Sequence, residues 1–121
     1  MKDLMNASIE FLEGLKETTF PLVKLTKSKN KMTGTATFIF VYPSLFENYS
    51  FHSADLTGMF LIYENKKILT NDIRIFFKKG KPFLLKAILI FKNSQEWFHF
   101  LNFMKSYSKE TGLVFSENNS I

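Results

Sequence analysis

Apolar positions along this chain fall into a series of short alternating or continuous runs, and one later stretch has helical spacing. The most apolar run is Phe83–Phe91, FLLKAILIF, interrupted only by Lys86. Such a run predicts a central strand with both faces largely covered. Asn93-Ser94 breaks it. Trp97, Phe100, Leu101, Met104 and Tyr107 then recur at helical spacing and form one apolar stripe, flanked by Phe98 and Phe103. Asn93 is placed to cap this helix, Glu96 to reach back as a capping-box carboxylate, and Gly112 to end it.

The segments before this core read mainly as strands. Ser8–Glu13 fits a short strand, although a helical pattern also fits. Leu22–Lys27, after Pro21, alternates as a half-exposed edge strand does. Ser28–Lys31 is a basic turn. Thr33–Tyr42 is dense in β-branched and aromatic residues, with Ala36, Phe38, Phe40 and Tyr42 on one face, and Pro43 ends it. Residues 44–53 connect, with one helical turn around Leu45-Phe46, and Phe46, Tyr49 and Phe51 tuck inward. Thr57–Tyr63 is a third strand, Glu64–Lys67 a turn, Ile68–Lys78 a fourth strand and Lys79–Pro82 a hairpin loop. Leu113–Phe115 is a short last strand. The first seven residues and the tail from Ser116 are expected to be loose. The expected fold class is α+β: a single antiparallel β-sheet with a long C-terminal α-helix packed on one face, in a single domain across residues 1–121.

Composition narrows the function classes. The 121 residues are 45% hydrophobic and 17% aromatic, which supports a packed core. With no cysteine, disulfide scaffolds, thiolate metal sites and cysteine nucleophiles are excluded. The formal net charge of +5 favours an anionic partner: nucleic acid, a membrane face or an acidic protein patch. Arg74 is the only arginine, so bidentate phosphate recognition is scarcely available. The opening residues carry no signal- or transit-peptide pattern, and no apolar run is long enough to span a bilayer. The expectation is a protein that acts where it is made.

Candidate chemistry is sparse. His52 and His99 lack metal-ligand spacing, and His99 points away from the helix stripe. Ser50, His52, Ser53 and Asp55 crowd one short loop, where the separated roles of a catalytic triad have no room. The acids are scattered and the glycines form no phosphate-binding pattern. The expectation is therefore no catalytic residue, no metal and no cofactor. The lysines cluster instead: Lys24, Lys27, Lys29 and Lys31 at one strand end, Lys66-Lys67 at one turn, and Lys78, Lys79 and Lys81 at another. They serve as edge protection or as a basic rim for docking. An alternative is a basic nucleic-acid-binding β-sheet protein, with Phe38 and Phe40 on an open face beside these lysines.

A set of phrases in order then resembles a known family. They are Val23–Ser28 (VKLTKS), Thr33–Phe38 (TGTATF), Pro43, Leu56–Leu61 (LTGMFL), Lys79–Pro82 (KGKP), Glu96-Trp97 with Phe100, Phe103, Met104 and Tyr107, and Thr111–Phe115 (TGLVF). From about Ile9 to Phe115 the chain is similar to the photosystem II reaction-centre Psb28 family. The resemblance implies an antiparallel sheet with a C-terminal helix. It also implies a non-enzymatic assembly factor, extrinsic on the stromal (or cyanobacterial cytoplasmic) side of the thylakoid. Its partners would be photosystem II core reaction-centre subunits and the inner chlorophyll-binding antenna, bound transiently, with a partner strand extending the sheet. The contact residues expected on this basis are Lys24, Thr26, Lys27, Ser28 and Lys29. Lys24, Lys27, His99 and Asn102 stand where the family typically has arginine, and Phe98 where it usually has an acid, which puts arginine-specific contacts in doubt.

Overall fold

Residues 7–27, 33–47, 56–112 and 116–119 are described by this computed structural model. In chain order the elements are β1 (Ala7–Leu12), β2 (Leu15–Lys16), β3 (Leu22–Lys27), β4 (Gly34–Val41), a 3-10 turn (Ser44–Glu47), β5 (Met59–Tyr63), β6 (Lys66–Thr70), β7 (Ile73–Lys78), β8 (Lys81–Phe91), α1 (Ser94–Thr111) and β9 (Ser116–Asn119). The α+β class stands, but the strands form two sheets rather than one. One sheet has the order β2-β1-β5-β6, the other β7-β8-β4-β3-β9. Every pairing is antiparallel except that of β3 with β9.

The division into two sheets comes from a break within the expected Ile68–Lys78 strand. Thr70, buried at the end of β6, donates from Oγ1 to the Ile88 carbonyl at 2.6 Å and accepts from the Asp72 N–H at 3.1 Å. The Ile88 N–H in turn donates to the Asp72 carbonyl at 3.0 Å. One hydroxyl thus anchors the turn to β8, so β6 stays with β5 while β7 departs to pair with β8. A polar Thr-Asn-Asp step supplies the side-chain-to-backbone bonds that end a strand.

Between the sheets lies one core. Phe11 of the first sheet meets Phe40 of the second edge-on at 5.1 Å. The helix closes this core, touching β1, β5 and β8. Its buried face is Trp97, Phe100, Phe103, Met104 and Tyr107, with Leu101 half-buried. Phe103 is therefore core and not flank, because the helix is covered by strands of both sheets and buries a wider stripe. The caps agree with the sequence. The Asn93 side chain accepts from the Glu96 N–H at 2.9 Å, Glu96 accepts from the Lys92 N–H at 2.8 Å, and Gly112 takes the left-handed conformation at φ 78°. The expected Leu113–Phe115 strand, the Ser28–Lys31 turn, Tyr49, Phe51 and the expected loose start up to residue 6 lie outside the described residues, whereas Ala7, also expected to be loose, is buried in β1 and paired with Tyr63.

Glu17, one of the acids without a role in the sequence reading, is a structural pin. Its Oε2 accepts from the Ser44 N–H at 2.6 Å, the Ser44 hydroxyl at 2.8 Å and the Thr19 N–H at 3.0 Å. Its Oε1 accepts from the Leu45 N–H at 3.0 Å. These bonds tie the segment after β2 to the N–H groups that open the 3-10 turn, the Ser44 N–H also donating to Thr19 Oγ1 at 3.1 Å. Replacing Glu17 by Ala leaves several donors without partners. It is expected to lower unfolding free energy by about 2–3 kcal/mol, read by urea denaturation.

Tyr107 gives a pH-dependent test of the same region. Its hydroxyl is buried without a hydrogen-bond partner among the described residues. Burial, and secondly the charge of Glu17, pushes its pKa up from 10.0 to about 12. The fold thus favours the neutral phenol. That contribution is fully present below the unfolded value of 10.0 and is lost as pH rises through about 12. Tyr107→Phe is expected to remove this part of the alkaline stability loss, measured as the difference between variant and parent from pH 9 to 12. At neutral pH the variant should be as stable as the parent, or more stable by about 1 kcal/mol, because a buried unsatisfied hydroxyl is gone.

Candidate functional site

Strand register sorts the residues of the five-stranded sheet onto two faces. Val23–Phe38–Ala87–Ile73 and Phe40–Leu85–Ile75 form rows that point into the core. The alternate rows are Thr26–Thr35–Ile90, Lys24–Thr37–Ile88, Leu22–Ile39–Lys86–Arg74 and Val41–Leu84–Phe76. The helix packs on the inner side, its Phe100 ring 6.0 Å from Phe38 and 4.8 Å from Phe91. The outer rows therefore stand open: Ile90 is 63% exposed, Val41 55% and Leu22 54%. This corrects the reading of Phe83–Phe91 as a strand covered on both faces. It also moves Tyr42 out of the core face, since β4 ends at Val41 and Tyr42 turns outward at φ 50°.

What results is an apolar field crossed by cations. Leu22, Ile39, Val41, Leu84, Phe76 and Ile90 supply the apolar surface, with Lys24, Lys86 and Arg74 set among them. Exposed apolar area of this kind, bordered by polar groups, is characteristic of an interaction surface. The signal was present in the sequence: an apolar run in both parities marks either a strand covered twice or one covered once with a sticky outer face. Only the position of the helix and the second sheet distinguishes the two.

The five expected contact residues divide. Lys24 and Thr26 lie exposed on the outer face. Lys27, paired with Gly34, turns the other way and lays its ammonium 4.8 Å from the Trp97 ring centroid, a cation–π contact. Gly34 is needed at this approach: a Cβ there would sit 2.8 Å from the Thr26 carbonyl oxygen and 3.5 Å from the indole. Ser28 and Lys29 lie outside the described residues. Nor is β3 an edge strand. Its outer side pairs with the chain's own β9, Lys24 opposite Ser116 through Lys27 opposite Asn119. Within the tail expected to be loose, Ser116–Asn119 are thus extended along β3.

A second feature lies where the two sheets part. A groove of about 490 Å³ runs between β6 and the end of β8, lined by Lys67, Leu69, Ile90, Glu96 and His99 among others. It is bordered by open strand edges. β6 ends its sheet, and β7 pairs along β8 only as far as Ala87. His99 is half-buried on the groove wall, Asn102 is exposed, and Phe98 is fully out on the surface at 63% exposure. The loop residues Ser50, His52, Ser53 and Asp55 lie outside the described residues. Phe38 and Phe40 are wholly buried, so the aromatic platform required by the nucleic-acid alternative is not presented. Among the described residues no cluster of three or more His, Asp or Glu could hold a metal ion, and no helix is long and apolar enough to cross a membrane.

Known proteins match the chain along most of its length. A family model described as Psb28 protein matches residues 9–115, from β1 to beyond α1. The chain is 41% identical to the photosystem II reaction center Psb28 protein of Phaeodactylum tricornutum, over 93% of this chain and 98% of the relative. It is 39% identical to the protein of that name from Guillardia theta, over 94% and 98%. With the Nostoc sp. protein of that name it shares 41% identity over 93% and 99%. An identity near two in five along almost the full length of each relative, coinciding with the family match, means that the chain belongs to the Psb28 family.

Proposed function

We propose that this chain is a non-catalytic photosystem II assembly factor. It binds transiently at the stromal (or cyanobacterial cytoplasmic) face of assembly intermediates, near the core reaction-centre subunits and the inner chlorophyll-binding antenna. It is peripheral to the thylakoid membrane. Two things support this reading: the family's members are named as photosystem II reaction center proteins, and the surface offers docking geometry. The observation that carries it is the uncovered outer face of the five-stranded sheet, apolar and studded with Lys24, Lys86 and Arg74.

Such a face binds by burying Leu22, Val41, Phe76 and Ile90 while its cations select and orient an acidic partner. Strand addition suits the same sheet. The outer side of β3 already accepts an extended segment of sequence Ser-Glu-Asn-Asn through backbone pairing, so it is a strand-accepting edge with little demand on side chains. A partner strand would take the place of β9 or add beyond it. Lys24 and Thr26 border that edge, with Ser28 and Lys29 following in sequence, and these remain the proposed contacts. Lys27 contributes by fixing the strand against Trp97.

The reading is tested by affinity purification of the tagged full chain from thylakoid extracts. Photosystem II core subunits are expected in the eluate. The double charge reversal Lys24→Glu/Lys86→Glu should weaken recovery about tenfold, equivalent to about 1.4 kcal/mol. Recovery of the parent chain only as a free protein would sink the proposal.

A further inference from the structure

We propose that the β7–β8 hairpin tip is a membrane-surface anchor that takes an anionic lipid headgroup, a contact separate from any protein partner. The last strand pair is Lys78 opposite Lys81, closed by the two-residue turn Lys79-Gly80 with φ values of 53° and 80°. This tip projects. β4 pairs with β8 only as far as Val41 opposite Leu84, with one further bond from the Tyr42 N–H to the Phe83 carbonyl at 2.7 Å. Beyond that bond the hairpin has no neighbouring strand among the described residues.

The tip's chemistry is one-sided. From Ile73 to Gln95 the sequence holds six cations (Arg74, Lys78, Lys79, Lys81, Lys86 and Lys92) and no acid. Lys78, Lys79 and Lys81 surround an open recess of about 380 Å³ whose other walls are Tyr42, Pro82 and Phe83. The Tyr42 and Phe83 rings stand 6.3 Å apart at its side. Phe77, next to Lys78 in the chain, is 55% exposed. Three ammonium groups attract an anion. A soluble anion, however, gains nothing from exposed rings around the site, whereas an interfacial lipid does. Aromatic rings at headgroup depth with lysines beside them are the composition by which peripheral proteins sit on anionic bilayers. Charge complementarity and the aromatic collar together select a lipid headgroup in a membrane over a free phosphate.

Flotation of the full chain with protein-free vesicles tests this without photosystem II, so its outcome is independent of the assembly role. The chain is expected to float with phosphatidylcholine vesicles containing phosphatidylglycerol and not with phosphatidylcholine alone. Each tip lysine removed should lower partitioning about fivefold, so Lys78→Gln/Lys79→Gln/Lys81→Gln should abolish flotation. Phe77→Ser should make the binding more sensitive to salt. Lys105→Gln/Lys109→Gln, at exposed positions of α1, should float like the parent, and circular dichroism should show all variants folded. The proposal is overturned by any of three results: no flotation of the parent with anionic vesicles, equal flotation of parent and tip variant, or binding of free glycerol phosphate as tight as binding to the vesicles. The last would mark the recess as a site for soluble anions.

Discussion

The Phe100 ring holds this structure together. Its centroid lies 6.0 Å from Phe38 on β4, 4.8 Å from Phe91 on β8 and 6.0 Å from Trp97 on its own helix. Four aromatic rings thus join the helix to the two central strands of the larger sheet. Each buried ring contributes about 2–3 kcal/mol by leaving water, and each good ring pair about 1 kcal/mol more. Asn93 and Glu96 fix where the helix starts, three residues after Phe91, so the chain has no choice but to lay Trp97 and Phe100 back on the strand it has just left. Because the helix lands on the inner face, the outer face of the same strands has no cover from it. The docking surface is a consequence of where that ring packs.

The second constraint is the handover at Thr70. If the chain ran straight from Ile68 to Lys78, one long hairpin would place all strands in one sheet, and the larger sheet would lack the core it shares with Ile9, Phe11, Met59 and Leu61. Instead one hydroxyl, bonded to Ile88, splits the strand and sets the smaller sheet against the core. The groove between β6 and β8 is the seam left by that split. The hairpin that carries the lysine-rich tip is its other product, since β7 exists as a separate strand only because the chain turned at Asn71-Asp72.

Much of this was legible in the sequence. The strand at Leu22–Lys27, the strand read as Thr33–Tyr42 and found at Gly34–Val41, the helix with both caps, and the hairpin loop read as Lys79–Pro82 and found as a turn at Lys79-Gly80 follow from period, cap chemistry and glycine placement. What was not legible depends on partners distant in sequence. The break at Thr70 looks like part of a strand because threonine is a good strand former, and the carbonyl it binds lies 18 residues away. Phe103 reads as a flank residue until strands from both sheets widen the buried stripe. Lys27 reads as a surface cation beside Lys24, yet alternation turns it to the opposite face and onto Trp97. Glu17 is one acid among many until Ser44 and Leu45 arrive beside it. The candidate surface suffered most, because β3 was read as an edge while the segment that pairs with it, Ser116–Asn119, has almost no strand character.

The outer face carries the strongest physical argument for binding, because the fold does not require its composition. Thr35 and Thr37 show that polar β-branched residues serve β4 on that side. The core rows would be unchanged if Val41, Leu84, Phe76, Ile90 and Leu22 were threonine, since all of them point away from Phe100. Leaving such side chains in water forgoes about 25 cal/mol for each Å² of apolar surface and invites non-specific association. Lys24, Lys86 and Arg74 among them limit that risk, since burying a cation without an acidic counterpart is costly. A surface that is apolar enough to bind and charged enough to refuse most partners is built for selective docking. Such a composition discriminates by refusing unmatched partners as much as by attracting the matched one.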